Sequence, residues 1–197
     1  MTDYTTLSAV KSYLRIGGTA DDVLLAALVT RASRLIDGYC HRWFAAETQT
    51  RTYDAVGPHL TGRLLLLDAD LLTVTTIING DGSPISLSEV ILRPHNWPPY
   101  FGIALKATSP VAWTYTGSPE DAISITGTWG YSAVPPEPVV QAAVRLTAWL
   151  YRQRDTGAEP GQIEVTERGV PVAPARLPRD VYELLGPYVR IRLSAVA

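Results

Sequence analysis

The sequence predicts an α+β protein: a small α-helical bundle, an inserted antiparallel β-sandwich or barrel-like domain, and an extended C-terminal arm ending in a short helix. Three observations predict it. Residues 1–48 and 131–154 repeat apolar side chains at helical spacing, and residues 49–130 break into short runs of β-type residues between turn signals. Residues 155–178 combine Gly157, Gly161 and Gly169 with four prolines and no aromatic residue, a composition that does not build a core.

The first 48 residues read as helical. Thr6 or Ser8 can cap a short helix that ends before Gly17-Gly18, and Thr19-Ala-Asp-Asp22 resembles a capping box opening a longer one. Leu24, Leu25, Leu28, Ala32, Leu35, Ile36 and Tyr39 form its expected buried stripe, with Arg31, Arg34 and Asp37 left to solvent or a partner. The helix is expected to end near His41. Asp21 and Asp22 are explained by a favourable helix dipole in the first turn and need no catalytic role. Cys40, the only cysteine, reads as a small core residue; alone it forms neither an intrachain disulfide nor a cysteine metal cluster.

From Thr50 to Trp129 the expected strands are Arg51–Val56, Arg63–Leu67, Thr73–Asn79, Glu89–Leu92, Ile103–Lys106, Val111–Tyr115 and Ala122–Trp129. Asn79-Gly-Asp-Gly82 and Ser118-Pro-Glu-Asp121 are turns between them. Ile123, Ile125 and Gly127 alternate with Ser124, Thr126 and Thr128, so one face of that strand should be buried and the other wet. Asp68 and Asp70 mark a polar turn, or share a strand face that could hold a cation. Residues 93–102 form a proline-stiffened loop whose Trp97, Tyr100 and Phe101 either cover an open end of the β-domain or an interface, or present a ligand-binding tip.

After Gly127-Thr-Trp-Gly-Tyr131, Pro135 and Pro136 impose an extended entry, and Pro138 sits where a first helical turn tolerates a missing N–H. The helix that follows runs to about Arg154. Val140, Ala143, Val144, Thr147 and Tyr151 lie on one side of it, and Val139, Ala142, Leu146, Trp149 and Leu150 make much of the rest apolar. Such a helix is either central to a bundle or turned toward another subunit. In the arm, Pro178–Leu185 can form a short helix with Val181, Leu184, Leu185 and Tyr188 as its apolar face.

Charge and chemistry narrow the function. Net charge is −2; residues 49–144 carry four basic side chains against eight acidic, and residues 145–197 eight arginines against six acids. No concentrated basic face marks a sequence-reading nucleic-acid binder. No apolar run approaches the roughly 20 residues of a membrane span, and the N-terminus lacks the pattern of a signal peptide, so a soluble protein made in the cytoplasm is expected. His41, His59 and His95 stand apart with no metal-ligand spacing, and no phosphate-cradling or nucleophile-elbow motif is present. The expectation is no catalytic residue, no metal and no cofactor.

Leu14-Arg-Ile-Gly-Gly-Thr-Ala-Asp-Asp-Val-Leu-Leu-Ala-Ala-Leu28, continuing through Arg31-Ala-Ser-Arg-Leu-Ile-Asp-Gly-Tyr-Cys-His-Arg-Trp-Phe44, resembles the head-to-tail connector (adaptor, or head completion) proteins of tailed bacteriophages. So does Gly127-Thr-Trp-Gly-Tyr followed by Val134-Pro-Pro-Glu-Pro-Val-Val-Gln-Ala-Ala and a helix ending Leu150-Tyr-Arg-Gln-Arg-Asp155. The resemblance implies a helical connector core from residues 1–48 and 131–154, an inserted β-rich domain at 49–130, and a docking arm at 155–197. It implies a structural virion protein of the head-tail neck. Such a protein forms a ring, dodecameric to match the portal, which extends the DNA channel and joins capsid to tail. The partners implied are the portal protein, further copies of the chain, a downstream stopper or tail terminator, and the capsid through the β-domain, with genomic DNA passing non-specifically and no membrane. Arg176, Arg179, Val181, Leu184, Leu185 and Tyr188 are the expected portal-docking residues. The expected ring-interface residues are Arg31, Arg34, Arg145, Trp149 and Arg152. Arg145, Arg152, Arg154 and the arm arginines are expected to meet acidic partner surfaces. The β-rich segment is longer than in short members of the family. Two other classes remain: a surface- or carbohydrate-binding β-module using the aromatic loop 93–102, and an enzyme with a dispersed site.

Overall fold

A computed structural model describes residues 2–154, 164–165, 171–172 and 177–190. The chain forms two compact units, one from Met1–His41 with Pro135–Arg190 and one built on Arg42–Val134.

The first unit is helical. The α1 helix (Leu7–Leu14) is capped by the Thr6 hydroxyl, which accepts from the Ala9 N–H, and it closes on Arg15 in the left-handed region. In α2 (Asp22–Cys40) the buried side is Leu25, Val29, Ala32, Ser33, Ile36 and Cys40. Leu24 and Leu35, expected in that stripe, are 37% and 38% exposed. The stripe is rotated because a helix of this length presents one continuous row at spacings of three and four, and Leu25-Val29-Ala32-Ile36-Cys40 is the row that meets the rest of the bundle.

The α3 helix (Glu137–Gln153) enters through Pro136, with Pro138 inside the first turn. It buries Val139, Ala142, Ala143, Val144, Leu146, Thr147 and Ala148. It packs against α1, α2 and α4 (Arg179–Leu185), which accounts for these buried positions. Thr147 sits fully buried because its hydroxyl donates to the Ala143 carbonyl one turn back.

The expected capping box at Thr19–Asp22 does not form: Asp21 makes no side-chain cap. Both acids turn instead to the other helices. Asp21 accepts from the Tyr151 hydroxyl at 2.6 Å and from Arg154 at 2.9 Å, and Asp22 pairs with Lys11 at 2.5 Å. They tie the start of α2 to the end of α3 and to α1. The Tyr151 hydrogen bond, then Arg154, holds the Asp21 carboxyl below its ordinary value. A depressed carboxylate stabilises the folded state above the ordinary carboxylate pKa and loses that contribution as pH falls through the depressed value. Asp21→Asn should therefore lower the melting temperature at neutral pH and abolish part of the acid dependence seen in the parent, read by thermal unfolding across an acid series.

The second unit is a six-stranded antiparallel sheet of order β1-β6-β3-β5-β4, with β2 paired beside β3. Its strands are β1 (Glu47–Tyr53), β2 (Leu60–Thr61), β3 (Leu64–Ile78), β4 (Val90–Arg93), β5 (Tyr100–Leu105) and β6 (Ile123–Trp129). The path ends at β1 and β4, and among the described strands no pairing closes it into a barrel or adds a second stacked sheet to the unit. In the other unit two-residue strands β7 (Glu164–Val165) and β8 (Pro171–Val172) pair antiparallel.

Two sequence expectations change here. Arg63–Leu67 and Thr73–Asn79 belong to one long strand, and Asp68 and Asp70 lie inside it rather than in a turn. Register shifts on both sides of Leu71 let the first part of β3 pair with β5 and the second with β6. Val111–Tyr115 is not a strand; it is held by Arg63. The Arg63 guanidinium donates to the carbonyls of Leu105, Lys106, Ser109 and Val111 at 2.7–3.3 Å, while the Arg63 carbonyl accepts from Trp113 Nε1. Side-chain and backbone donors thus replace a ladder. Arg63→Ala strands these carbonyls and should cost about 1–3 kcal/mol, read as a lower urea midpoint with an unchanged slope.

The turns at Asn79–Gly82 and Ser118–Asp121 stand as expected, with Gly82 N–H donating to the Asn79 carbonyl and Asp121 N–H to the Asp54 carboxylate. The β6 strand alternates as expected, with Ile123, Ile125, Gly127 and Trp129 buried and Ser124, Thr126 and Thr128 partly exposed.

Candidate assembly surfaces

The expected docking helix is formed, and its apolar face is already occupied. Val181 and Leu185 are fully buried, as is most of Leu177, in the unit where α4 packs on α3. Arg145 on α3 pairs with Asp180 at 2.7 Å, and that hydrogen bond raises its pKa above the ordinary guanidinium value. Tyr182 meets Tyr39 of α2 edge to face, with ring centroids 5.1 Å apart. Leu184 and Tyr188 remain partly exposed, and Arg179 is exposed and pairs with Glu183 one turn on. Arg176 lies outside the described residues. Of the expected docking set, Val181 and Leu185 face their own chain while Arg179, Leu184 and Tyr188 reach the surface.

The expected ring residues divide in the same way. Arg31 and Arg152 are exposed and Trp149 is half-buried. Arg34 donates to the Thr2 carbonyl at 2.7 Å and pairs with Asp37 at 3.0 Å. Asp37 also accepts from the Tyr4 hydroxyl, and burial raises its carboxyl pKa against the pull of Tyr4 and Arg34. Thr30 donates to Asp3, and Tyr4 N–H to the buried Ser33 hydroxyl. These bonds lay residues 2–4 along α2. Arg145 and Arg154, expected to seek acids on partners, find Asp180 and Asp21 within the chain. The signal for both pairings was present as charge in the sequence, but nothing local joins residues this far apart.

In the β unit, the two acids that had read as a turn anchor cations. Asp68 accepts from Arg51 at 3.0 Å and from the Tyr53 hydroxyl at 2.7 Å, while Arg51 lies 5.2 Å from the Trp43 ring and 5.0 Å from the Trp129 ring. Burial, reinforced by Asp68, raises the Tyr53 hydroxyl well above its ordinary value. Asp70, also buried, pairs with Arg42 at 3.4 Å, and Arg42 covers the Tyr131 ring. Each acid is ion-paired with an arginine. Among the described residues no cluster of three or more His, Cys, Asp or Glu could hold a metal, and no helix is long and apolar enough to cross a membrane.

Of the expected aromatic loop 93–102, Trp97 lies between β4 and β5, whereas Tyr100 and Phe101 belong to β5. Trp97 is 75% exposed, and Phe101 is exposed as well, whereas Tyr100 packs on the sheet core. Only Tyr100 covers the core; Trp97 does not.

Helices drawn from both ends of the chain and an inserted antiparallel sheet define an α+β protein. Residues 4–60 match the family model described as Phage gp6-like head-tail connector protein, which bears out the resemblance carried by residues 14–44. The fold is similar to that of a chain in "Virion of native gene transfer agent (GTA) particle", at 23% identity and a TM-score of 0.62, covering 95% of this chain and 90% of that one. It is also similar to a chain in "Neck of native GTA particle computed with C12 symmetry", at 19% identity and a TM-score of 0.56, covering 98% and 95%. A third likeness, to a chain in "Neck of empty GTA particle computed with C6 symmetry", has 18% identity, a TM-score of 0.56 and coverage of 95% and 90%. At these identities the likeness establishes the fold, which is α+β as expected. No curated protein matches the chain.

Proposed function

We propose that the protein is a head-to-tail adaptor that forms a ring under the portal of a phage-like particle, extends the DNA channel and joins capsid to tail. One observation carries the reading: the connector-family match over residues 4–60 sits in a chain that is similar over nearly its whole length to chains from virion and neck structures. Ring closure needs two unlike faces on each subunit that meet head to tail. The exposed Arg31 of α2 and the Arg152 and Trp149 of α3 supply candidates for one such contact, with Arg34 and Arg145 as supports through their intrachain pairs. Portal docking falls to the arm, through Arg179, Leu184 and Tyr188 at the surface of α4 and through Arg176 before it. Val181 and Leu185 hold α4 on α3 for that purpose. A twelve-fold ring, a stopper or tail terminator below it and capsid contact through the β unit complete the reading. DNA then passes a wall with no concentrated basic face, which weakens phosphate binding and lets the duplex slide.

Electron micrographs of the purified protein with portal should show stacked rings. Arg31→Glu with Arg152→Glu should leave the circular dichroism unchanged and abolish the connector ring. Rings that persist in that variant would remove these residues from the interface.

The exposure of Trp97 favours a second reading, a surface- or carbohydrate-binding β unit whose site is loop 93–102. A glycan array tests it: binding lost in Trp97→Ala would support it, and no binding would reject it.

A further inference from the structure

The chain has two asparagines, Asn79 and Asn96, and Asn79 is the one followed by glycine. In an Asn-Gly pair the glycine nitrogen can reach the asparagine side chain with no Cβ in its way. Base takes the proton of that N–H, the nitrogen attacks Cγ, and a C–N bond forms as the Cγ–Nδ2 bond breaks. Ammonia leaves with a proton from water. A second water opens the resulting five-membered imide at either carbonyl, giving aspartate or isoaspartate, and the base is regenerated. The net change is one water taken up and one ammonia released. We propose that Asn79-Gly80 is such a deamidation site, and that the β unit holds it shut until the segment 112–116 lifts from the turn.

Three sets of contacts close it. The carboxamide is fixed at both ends: Nδ2 donates to the Ala112 carbonyl at 2.9 Å, and Oδ1 accepts from the N–H groups of Gly80 at 3.1 Å and Thr114 at 3.2 Å. The proton that base must remove is therefore held in a hydrogen bond, and Asn79 is only 3% exposed. The main chain is pinned on either side of the reacting bond. Asn79 N–H donates to the Ser83 carbonyl at 2.8 Å, Gly82 N–H to the Asn79 carbonyl at 2.9 Å, and Thr116 N–H to the Gly80 carbonyl at 3.1 Å. Gly80 also has no room to swing its nitrogen over Cγ. It forms a bridge with Tyr115, and a Cβ placed on it would lie 2.5 Å from the Thr114 carbonyl oxygen and 2.9 Å from the Cβ atoms of Ala122 and Tyr115.

The same contacts make the step one-way. An aspartate at position 79 has no donor for the Ala112 carbonyl and sets a buried carboxylate against it. Isoaspartate adds a carbon to the main chain between β3 and the Ile78–Pro84 bridge and spoils the register of the turn. Neither product lets residues 112–116 return to their place.

Peptide mass spectrometry of the full-length protein, aged in mildly alkaline buffer, tests the proposal. Asn79 should convert to aspartate and isoaspartate in urea above the unfolding midpoint and at least about tenfold more slowly in the native chain, since reaction must wait for local opening. Arg63→Ala provides the second arm, because Arg63 holds the carbonyls of Ser109 and Val111 at the start of the same segment. In native buffer it should speed conversion at least about fivefold, the equivalent of about 1 kcal/mol of lost protection. A variant that unfolds altogether should convert at the urea rate. An Asn79 that stays an amide in urea would overturn the site, and a native chain that converts as fast as the unfolded one would overturn its closure. Arg63→Ala converting at the parent's native rate would show that the segment 112–116 is not what shuts it.

Discussion

Gly127→Ala should unfold the β unit while leaving the helical unit folded. Gly127 lies on β6 where that strand passes between β1 and β3, opposite Gln49 and Val74. A Cβ there would press into the Thr73 carbonyl oxygen and lie 3.1 Å from Leu71 Cδ1. The first neighbour is backbone, fixed by the β3 ladder, so no rotamer change relieves the overlap. Overpacking of a core typically costs about 1–3 kcal/mol when side chains can shift, and here the sheet itself must move, so about 3 kcal/mol or more is expected. Tryptophan fluorescence would report it, since Trp129 is buried two residues on and donates through Nε1 to the Gln49 carbonyl. The ellipticity of α2 and α3 should survive. A melting curve that coincides with the parent's would show that β3 yields there.

Leu185→Asp should release α4 from α3. A seven-residue helix is too short to persist in water on packing-free terms, so its formation depends on what it buries. Leu185→Ala alone would forfeit about 2–5 kcal/mol by removing a fully buried leucine. A carboxylate at that position adds the cost of an unpaired buried charge. The loss is bounded, because once α4 detaches the charge is in water and the rest of the bundle keeps Leu25, Val29, Ile36 and Leu146 buried. Limited proteolysis should then cut within 177–188, and the Arg145–Asp180 pair should be lost with the helix. Under the proposed function the same variant should fail to bind portal while its β unit melts as in the parent. Resistance to protease at 177–188 would contradict the anchoring role given to Leu185.

Which parts of the fold could be read from residues depends on how local their causes are. The α3 helix, the alternation of β6 and the Thr6 cap are set by periodicity and short-range hydrogen bonding, and they stand where the sequence puts them. The centre of β3 could not be read that way. Asp68 and Asp70 lower strand propensity locally, and what keeps them in a strand is Arg51, Tyr53 and Arg42, which arrive from other segments. Asp21 likewise looks like a cap until Tyr151 and Arg154 approach from 130 and 133 residues away, and Asp22 until Lys11 of α1 pairs with it. Arg63 gives no sign in sequence that it organises residues 105–113, because its acceptors are backbone carbonyls. For the assembly surfaces, the apolar face of α4 was legible from the spacing of Val181, Leu184 and Leu185. That two of these three are covered by the chain's own α3 was not, since burial depends on the bundle that α4 joins.

Light scattering of the purified protein, alone and mixed with the portal protein of the same particle, tests the adaptor reading most directly. The expected result is a small species alone and, with portal, a complex whose added mass equals a whole ring of 21.4 kDa chains. A mixture in which both proteins keep their separate masses would contradict it.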